Sequence, residues 1–88
     1  RREVFLRDEL LNIKSIEFEI LWYLVNKIGK IVSRSELYNR LYKSDYNGID
    51  RSLDIYISRI RSKLCDDPKD PRYIKTVRGE GYLFLPDA

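Results

Sequence analysis

The amino-acid sequence predicts an α+β domain in which a short antiparallel strand pair precedes three helices and a β-hairpin. Three observations support this prediction. Two short apolar runs open the chain, apolar residues then recur at helical spacing in three successive segments, and two β-branched and aromatic runs near the end flank a glycine-containing turn. A length of 88 residues suits one domain with a small core.

The strand pair is predicted within residues 1–14. Residues 3–6 and 10–13 are apolar runs separated by three charged residues, a pattern typical of a tight hairpin or of the end of a small sheet.

The first helix is predicted over residues 15–27, and Gly29 ends it. Its apolar residues recur at the helical period, and we expect the bulky ones to be core residues rather than ligands. The periodic set comprises Ile16, Ile20, Leu21, Leu24 and Ile28, with Phe18 and Trp22 beside it.

The second helix is predicted over residues 37–42. Ser33, followed three residues later by Glu36, forms a capping box that opens this helix. Its inward-facing residues are expected to be Leu37, Tyr38 and Leu41. The polar residues 43–48 then form a loop.

The third helix, predicted at about residues 50–64 with Asp50 as its N-cap, has two contrasting faces. One is a core-facing stripe of Leu53, Ile57, Ile60 and Leu64. The other carries Arg51, Ile55, Ser58 and Ser62, flanked by Asp54, Arg59 and Arg61. Short central side chains permit close approach to base edges, and guanidinium groups reach phosphates or guanine. An ordinary amphipathic helix with a basic exterior would carry a similar pattern.

The end of the chain predicts a hairpin within residues 73–85. Pro68 and Pro71 end the third helix, and two strand-like runs, 73–77 and 82–85, flank Arg78-Gly79-Glu80-Gly81. We expect turn geometry to explain both glycines. A strand pair, three helices and a terminal hairpin are the layout of a winged helix-turn-helix domain, with residues 15–64 as its helical core and the hairpin as its wing.

Composition narrows the classes of function. The chain is 43% hydrophobic and 35% charged, as in a globular protein, and no apolar run approaches the roughly 20 residues needed to cross a bilayer. A net charge of +3 suits a polyanionic partner without requiring one. The chain has no histidine and a single cysteine, Cys65, which we expect to be a small packing residue in a protein of the reducing cytoplasm. We therefore expect no metal, no cofactor and no enzymatic activity.

Three segments resemble one known family, the OmpR/PhoB-type effector domains of bacterial two-component response regulators. The segment IEFEILWYLVNKIGKIVSRSEL is similar to the family's first helix and the turn after it. RSLDIYISRIRSKL resembles its Arg-x-x-Asp-x-x-Ile-x-x-Leu-Arg-x-Lys-Leu pattern, and YIKTVRGEGYLF resembles its wing. The resemblance covers nearly the whole chain. It departs at Lys14, where the family usually has a threonine cap, and in having two initial strands where the family has four.

The resemblance implies sequence-specific binding to double-stranded DNA and regulation of transcription, with the third helix in the major groove and Arg78 in the adjacent minor groove. Implied phosphate contacts are Tyr42, Arg51, Ser52, Arg61 and Thr76. Implied base-reading residues are Asp54, Ile55, Ser58 and Arg59. Asp54 has an alternative role, in which it forms a salt bridge to Arg51 or Arg61. The whole domain also has an alternative function, as a winged-helix protein–protein interaction module.

The resemblance also implies partners. A receiver domain is expected upstream, and two copies of the full protein would bind in tandem, although the isolated domain is expected to be a monomer. The loop after the second helix would contact RNA polymerase through Lys43, Ser44, Asp45, Tyr46 and Asn47.

Overall fold

The computed structural model describes residues 3–6, 8–13, 15–48 and 51–86. The elements in chain order are β1 Val4–Leu6, β2 Glu9–Leu11, α1 Ser15–Asn26, β3 Ile31–Val32, α2 Arg34–Tyr42, α3 Ser52–Leu64, β4 Ile74–Val77 and β5 Gly81–Phe84. This order confirms the predicted α+β class, with a strand pair, three helices and a terminal hairpin. The strand β3, between α1 and α2, was not predicted.

The strands form two antiparallel sheets. In the first, β1 pairs with β2, and Val4 lies opposite Leu11. In the second, the order is β3-β5-β4, so that β3 pairs along the inner edge of the wing, with Ile31 opposite Leu83. A two-residue strand is too short to show an alternating pattern in the sequence. Only its pairing with β5 makes it a strand, which is why the sequence pattern missed it.

Gly81 lies where the wing crosses β3. A Cβ atom added at Gly81 would overlap the backbone of Val32 and Ser33. Turn geometry therefore explains Gly79, which has a φ of 77°, but close approach of two backbones is the additional reason for Gly81.

The core lies between α1, α3 and the wing sheet. The predicted stripe of α3 is buried in full and meets the buried side of α1, as the helical spacing of both predicted. The buried apolar residues are Ile20, Leu21, Leu24, Val32, Leu37, Leu53, Ile57, Ile60, Leu64, Ile74 and Tyr82.

Three residues expected in the interior lie on the surface. Ile28, which follows the end of α1 at Asn26, is 47% exposed. Trp22 is 55% exposed and stacks on the half-buried Phe18, with ring centroids 6.0 Å apart, because the described elements cover only the other side of α1. Cys65 is exposed as well. It is the C-cap of α3 in the left-handed conformation, and its backbone N–H donates to carbonyls of the last turn. The interpretations of Trp22 as core and of Cys65 as a packing residue were wrong.

The helix starts differ from the prediction in detail. Helix α2 begins at Arg34 rather than at residue 37, and Ser33 caps it by accepting a hydrogen bond from the Glu36 backbone N–H at 3.0 Å. At the start of α3 the N-cap position is held by Arg51, without a side-chain cap bond. The expected cap residue Asp50 lies outside the described residues, as does Lys14.

Candidate nucleic-acid interface

The outer face of α3 carries a shallow, open depression of about 430 Å³. Its lining consists of Arg51, Asp54, Ile55, Ser58 and Arg59. This set contains all four side chains predicted to read bases, together with one predicted phosphate contact. The helix therefore brings the predicted readers to one surface, opposite its buried stripe.

Ile55 and Arg59 give this depression its chemical character. Ile55 is 52% exposed, an unusual position for a large aliphatic side chain on a helix so rich in charge. Arg59, one turn further on, is exposed, and its guanidinium lies 5.9 Å from the centre of the Tyr56 ring. A cation held over an aromatic ring loses some of its rotational freedom. The surface thus combines an apolar contact with a partly oriented set of donors.

Asp54 is the only acidic residue lining the depression, and residues of two neighbouring elements form hydrogen bonds with its carboxylate. Its Oδ1 atom accepts hydrogen bonds from the Tyr82 hydroxyl and from Arg34 Nε, the latter at 3.1 Å. Partial burial opposes ionisation, but these two hydrogen bonds outweigh it, so the pKa of Asp54 lies below its ordinary value of 3.8. An ion pair was one of the two expected roles. Its partner is Arg34 of α2, so the expected partners, Arg51 and Arg61, were wrong. Arg51 acts on Asp54 by charge attraction, and the donors of Arg61 go to β4.

Arg34 and Tyr82 tie three elements together at this point. Arg34 Nη2 donates to the Tyr82 hydroxyl at 3.3 Å, and the guanidinium lies 5.0 Å from the centre of the Tyr82 ring. Tyr82 is only 2% exposed, and burial together with its bond to Asp54 raises the pKa of its phenol well above the ordinary value. The hydroxyl therefore remains a donor at neutral pH. The hydrogen bonds among Arg34, Asp54 and Tyr82 therefore join α2, α3 and β5 beside the depression.

Arg61, predicted to be a phosphate contact, is buried. It is 8% exposed, and its Nε and Nη2 atoms donate to the Ile74 carbonyl at 3.2 and 2.9 Å. Nη2 also donates to Thr76 Oγ1 at 2.7 Å. Burial lowers the pKa of this guanidinium, and attraction to Asp66 opposes the shift. Its placement on the outer face of α3 was wrong, because its donors are engaged in holding the strand β4 against the helix.

Two buried acids that the sequence analysis did not single out hold the end of α3. Glu17, 1% exposed, pairs with Lys63 at 2.6 Å and joins α1 to α3. Asp66, just past the helix, accepts hydrogen bonds from the backbone N–H groups of residues 72, 73 and 74. A signal existed for Glu17, since it stands three, four and seven residues before Ile20, Leu21 and Leu24 of the core stripe. No comparable pattern marks Asp66.

Tyr42 and Ser52, both predicted to contact phosphate, meet at the start of α3. Their hydroxyl oxygens are 3.1 Å apart, and Tyr42 is exposed. The Tyr38 ring supports this end, with centroid distances of 4.6 Å to Tyr42 and 5.4 Å to Tyr46. Tyr46 is therefore partly covered, while the other four loop residues predicted to contact RNA polymerase are exposed.

The wing presents Arg78 and Thr76 to solvent. Arg78 is exposed in the turn between β4 and β5, which is closed by a hydrogen bond from the Glu80 N–H to the Val77 carbonyl at 2.9 Å. Thr76 is also exposed. A hydroxyl that accepts one hydrogen bond, as Thr76 does from Arg61, still has its own proton to donate. Both side chains are exposed, and their contacts with the DNA backbone and the minor groove stay predictions.

The described residues offer neither a metal site nor a membrane span. No group of histidine, cysteine, aspartate and glutamate side chains within the described ranges is arranged to hold a metal ion. Among the same residues, no helix combines the length and apolar character needed to cross a bilayer.

Sequence comparison relates the chain to regulators of transcription. Residues 3–84 match the family model described as transcriptional regulatory protein, C terminal. The chain is 44% identical over 87 residues to the transcriptional regulatory protein RstA of Escherichia coli strain K12, and 37% identical over 82 residues to the sensory transduction protein RegX3 of Mycolicibacterium smegmatis. These matches cover 99% and 93% of this chain but 36% of each relative. The chain thus spans about a third of the length of these relatives.

The chain is also similar to solved structures with the same fold. The RstA DNA-binding domain of Klebsiella pneumoniae, crystallised in complex with the RstA box, has a TM-score of 0.93 and 44% identity over 97% of this chain and 84% of that one. The DNA-binding domain of CpxR from Escherichia coli has a TM-score of 0.86 and 31% identity, covering 99% and 85%. The C-terminal effector domain of BfmR from Acinetobacter baumannii has a TM-score of 0.78 and 48% identity, covering 98% and 79%.

Proposed function

Because the chain belongs to the family of transcriptional regulatory protein C-terminal domains, as an OmpR/PhoB-type effector domain of a response regulator, we propose that it binds specific double-stranded DNA sites. In this proposal α3 enters the major groove and the wing enters the adjacent minor groove. The family consists of transcriptional regulators and not of enzymes. The observation that carries the proposal is the depression on α3, where one open surface holds every side chain predicted to read bases.

The phosphate contacts in this proposal come from both ends of the reading surface. Arg51 and the Tyr42–Ser52 hydroxyl pair lie where α3 begins, and Thr76 lies on the wing strand β4. Arg78, exposed at the tip of the wing, supplies a guanidinium for the negative potential of a narrow minor groove. Arg61 takes no part as a ligand, since its donors hold β4.

Ile55, Ser58 and Arg59 supply the base contacts. An arginine pairs bidentately with the O6 and N7 atoms of guanine, and an aliphatic side chain packs on the thymine methyl group. Asp54 lies on the same surface, although Arg34 and Tyr82 restrain its carboxylate.

The larger protein is part of the proposal as well. The chain would be the output domain of a cytoplasmic response regulator with a receiver domain before it, and tandem copies would bind direct repeats. RNA polymerase would contact the exposed loop after α2, chiefly through Lys43, Ser44, Asp45 and Asn47, because Tyr46 packs on Tyr38.

Salt dependence tests DNA binding against the protein-interaction alternative. Fluorescence anisotropy of labelled duplexes would give the affinity at several salt concentrations. We expect the logarithm of the affinity to fall with the logarithm of the salt concentration, with a slope of about 0.9 for each phosphate contact. A domain that uses α3 and the wing only against protein would show no duplex binding even at low salt, and that result would overturn the proposal.

Two arginine variants separate base reading from phosphate contact. Replacement Arg59→Ala is expected to lower affinity for the preferred duplex by about 1 to 3 kcal/mol and to relax specificity at one base pair. Replacement Arg51→Ala is expected to weaken all duplexes about equally and to reduce the salt slope by about one. Lys69→Ala, in the exposed loop beyond the other end of α3, is the matched control and should change neither quantity.

A further inference from the structure

The reading surface of α3 has an uneven balance of donors and acceptors. Of its five lining residues, two are arginines, one is a serine and one is an exposed isoleucine. Asp54 is the only residue there that carries an anionic acceptor. Which bases the helix selects therefore depends on whether the Asp54 carboxylate faces the DNA.

Arg34 and Tyr82 restrain that carboxylate by hydrogen bonds to one of its two oxygens. Both hydrogen bonds go to the same atom, Oδ1, one from a buried hydroxyl of the wing and one from a guanidinium of α2. Tyr82 is part of the core and Arg34 stacks on its ring, so neither donor moves freely. To accept a hydrogen bond from a base by this oxygen, Asp54 would have to leave a pair of donors that favours its charged form.

The remaining groups match two base edges. The Arg59 guanidinium has only donors, which suit the N7 and O6 acceptors of guanine, and Ile55 offers apolar surface for a thymine methyl group. The exposed amino group of cytosine needs an acceptor, which neither side chain supplies. The Ser58 hydroxyl both donates and accepts, and it therefore discriminates little among bases.

We propose that Arg34 and Tyr82 are positioning residues that withdraw Asp54 from base reading, so that α3 selects guanine at Arg59 and thymine at Ile55. This inference rests on the proposed function and names the chemistry that the same surface recognises. It also reassigns Asp54 from a base-reading role to a structural one.

Base analogues test the two contacts atom by atom. The 88-residue chain would first select its preferred duplex from a random library. Each thymine of that duplex is then replaced by deoxyuridine, which removes only the methyl group. At one thymine we expect affinity to fall about fourfold, the equivalent of about 0.8 kcal/mol for one apolar carbon. The Ile55→Ala variant should show no such difference between the two duplexes.

The guanine contact is tested in the same way. Replacing each guanine by 7-deazaguanine removes the N7 acceptor, and at one position we expect a loss of about fivefold, since one of two hydrogen bonds disappears. Arg59→Ala should abolish this sensitivity, whereas Lys69→Ala should keep it. If no thymine and no guanine responds in this variant-dependent manner, the assignment of bases is wrong.

Asp54 and Tyr82 variants test the positioning role. We expect Asp54→Asn to select the same bases as the original chain. We expect Tyr82→Phe, which keeps the ring in the core and removes one donor, to increase tolerance of cytosine at one position by severalfold. The double variant Tyr82→Phe/Asp54→Ala should lose that tolerance, because it removes the acceptor that the released carboxylate supplies. A role for Tyr82 in stability alone would leave base preference unchanged in all three.

The outcomes separate this inference from the proposed function. Absence of duplex binding at low salt overturns the proposed function itself. Specific binding together with a changed base preference in Asp54→Asn overturns only the positioning role, since it would show that Asp54 reads a base in the original chain.

Discussion

The two halves of α3 carry similar side chains and use them in opposite ways. In residues 52–59 the polar face is open, and Arg59 lies over Tyr56 at the surface. In residues 60–64 the charged groups turn toward the protein, since Arg61 is bonded to β4 and Lys63 to Glu17 of α1. The difference shows that neighbouring elements, and not residue type, decide whether a basic side chain of this helix is a ligand or a support.

The two halves of α3 differ because different elements pack against them. The half of α3 that ends at Leu64 is where α1, β4 and the loop at Asp66 converge, so its polar groups are covered and bonded. In the half that begins at Ser52, Leu53 and Ile57 are buried in the core, and Arg34, Tyr82 and Tyr42 form hydrogen bonds at its edge, while its outer face is open. The covered half thus joins α3 to α1 and to the wing strand β4, while the open half carries the reading surface.

The largest effect is expected from Lys63, in the covered half. Replacement Lys63→Met leaves the buried Glu17 carboxylate without its partner and should lower the free energy of unfolding by about 3 kcal/mol, measured by urea denaturation. The exposed Lys75→Met variant is the control and should change it by less than about 0.5 kcal/mol. The double variant Glu17→Leu/Lys63→Met should recover most of the loss, because an apolar pair replaces the buried ion pair. Equal effects of Lys63→Met and Lys75→Met would contradict the comparison.

Arg61 and Arg59 form a reciprocal pair of tests. Arg61→Met removes charged hydrogen bonds to Ile74 and Thr76 and should lower the free energy of unfolding by about 2 kcal/mol. Arg59→Met should change stability by less than about 0.5 kcal/mol while abolishing base discrimination at one position. Urea denaturation and anisotropy on the same two proteins give the four values. The comparison fails if Arg59→Met is the more destabilising of the two.

The pH dependence of stability tests the edge that holds the open half. Because the pKa of Asp54 is lower in the folded protein than its ordinary value of 3.8, its ionised form stabilises the fold above that pH. This stabilisation is lost as the pH falls through the lower, folded-state pKa. The free-energy difference between the original chain and Asp54→Asn should be below about 1 kcal/mol at neutral pH, since the carboxylate is partly exposed and screened. Urea titrations should show that this free-energy difference vanishes in acid. A difference that persists in acid would show that it does not come from the ionised Asp54 carboxylate.

The smallest effect is expected at Cys65, the end of the covered half. A left-handed C-cap favours glycine, so Cys65→Gly should raise the free energy of unfolding by about 0.5 kcal/mol. The measurement is the shift of the urea midpoint. A lower midpoint would show that the thiol contributes packing after all.

The local patterns that predicted the fold are those that a few neighbouring residues determine. Leu53, Ile57, Ile60 and Leu64 stand at helical spacing, and the glycines of the wing mark its turn, so these elements were predictable without knowledge of their partners. The exposed half of α3 was predicted for the same reason, since Ile55, Ser58 and Arg59 lie opposite that stripe.

The errors concern how segments distant in the sequence cover one another. Trp22 was expected in the core as a bulky residue beside the periodic stripe, but it lies on a side of α1 that no described element covers. Arginine is a residue type usually found on the surface, yet β4 packs against Arg61 and accepts its hydrogen bonds. The network around Asp54 joins residues 20 to 48 positions apart in the chain, and no local pattern marks such a set.

The sequence by itself therefore determined the order of the strand pair, the three helices and the hairpin, the buried stripe of α3 and, except for Arg61, the side chains on its open face, because periodicity is a property of neighbouring residues. Only the tertiary structure decided that Arg61 supports the wing, that Asp54 is held by Arg34 and Tyr82, and that β3 completes the sheet. The physical reason is that burial and hydrogen bonding are set by the nearest atoms in space, and for these residues the nearest atoms belong to remote parts of the chain.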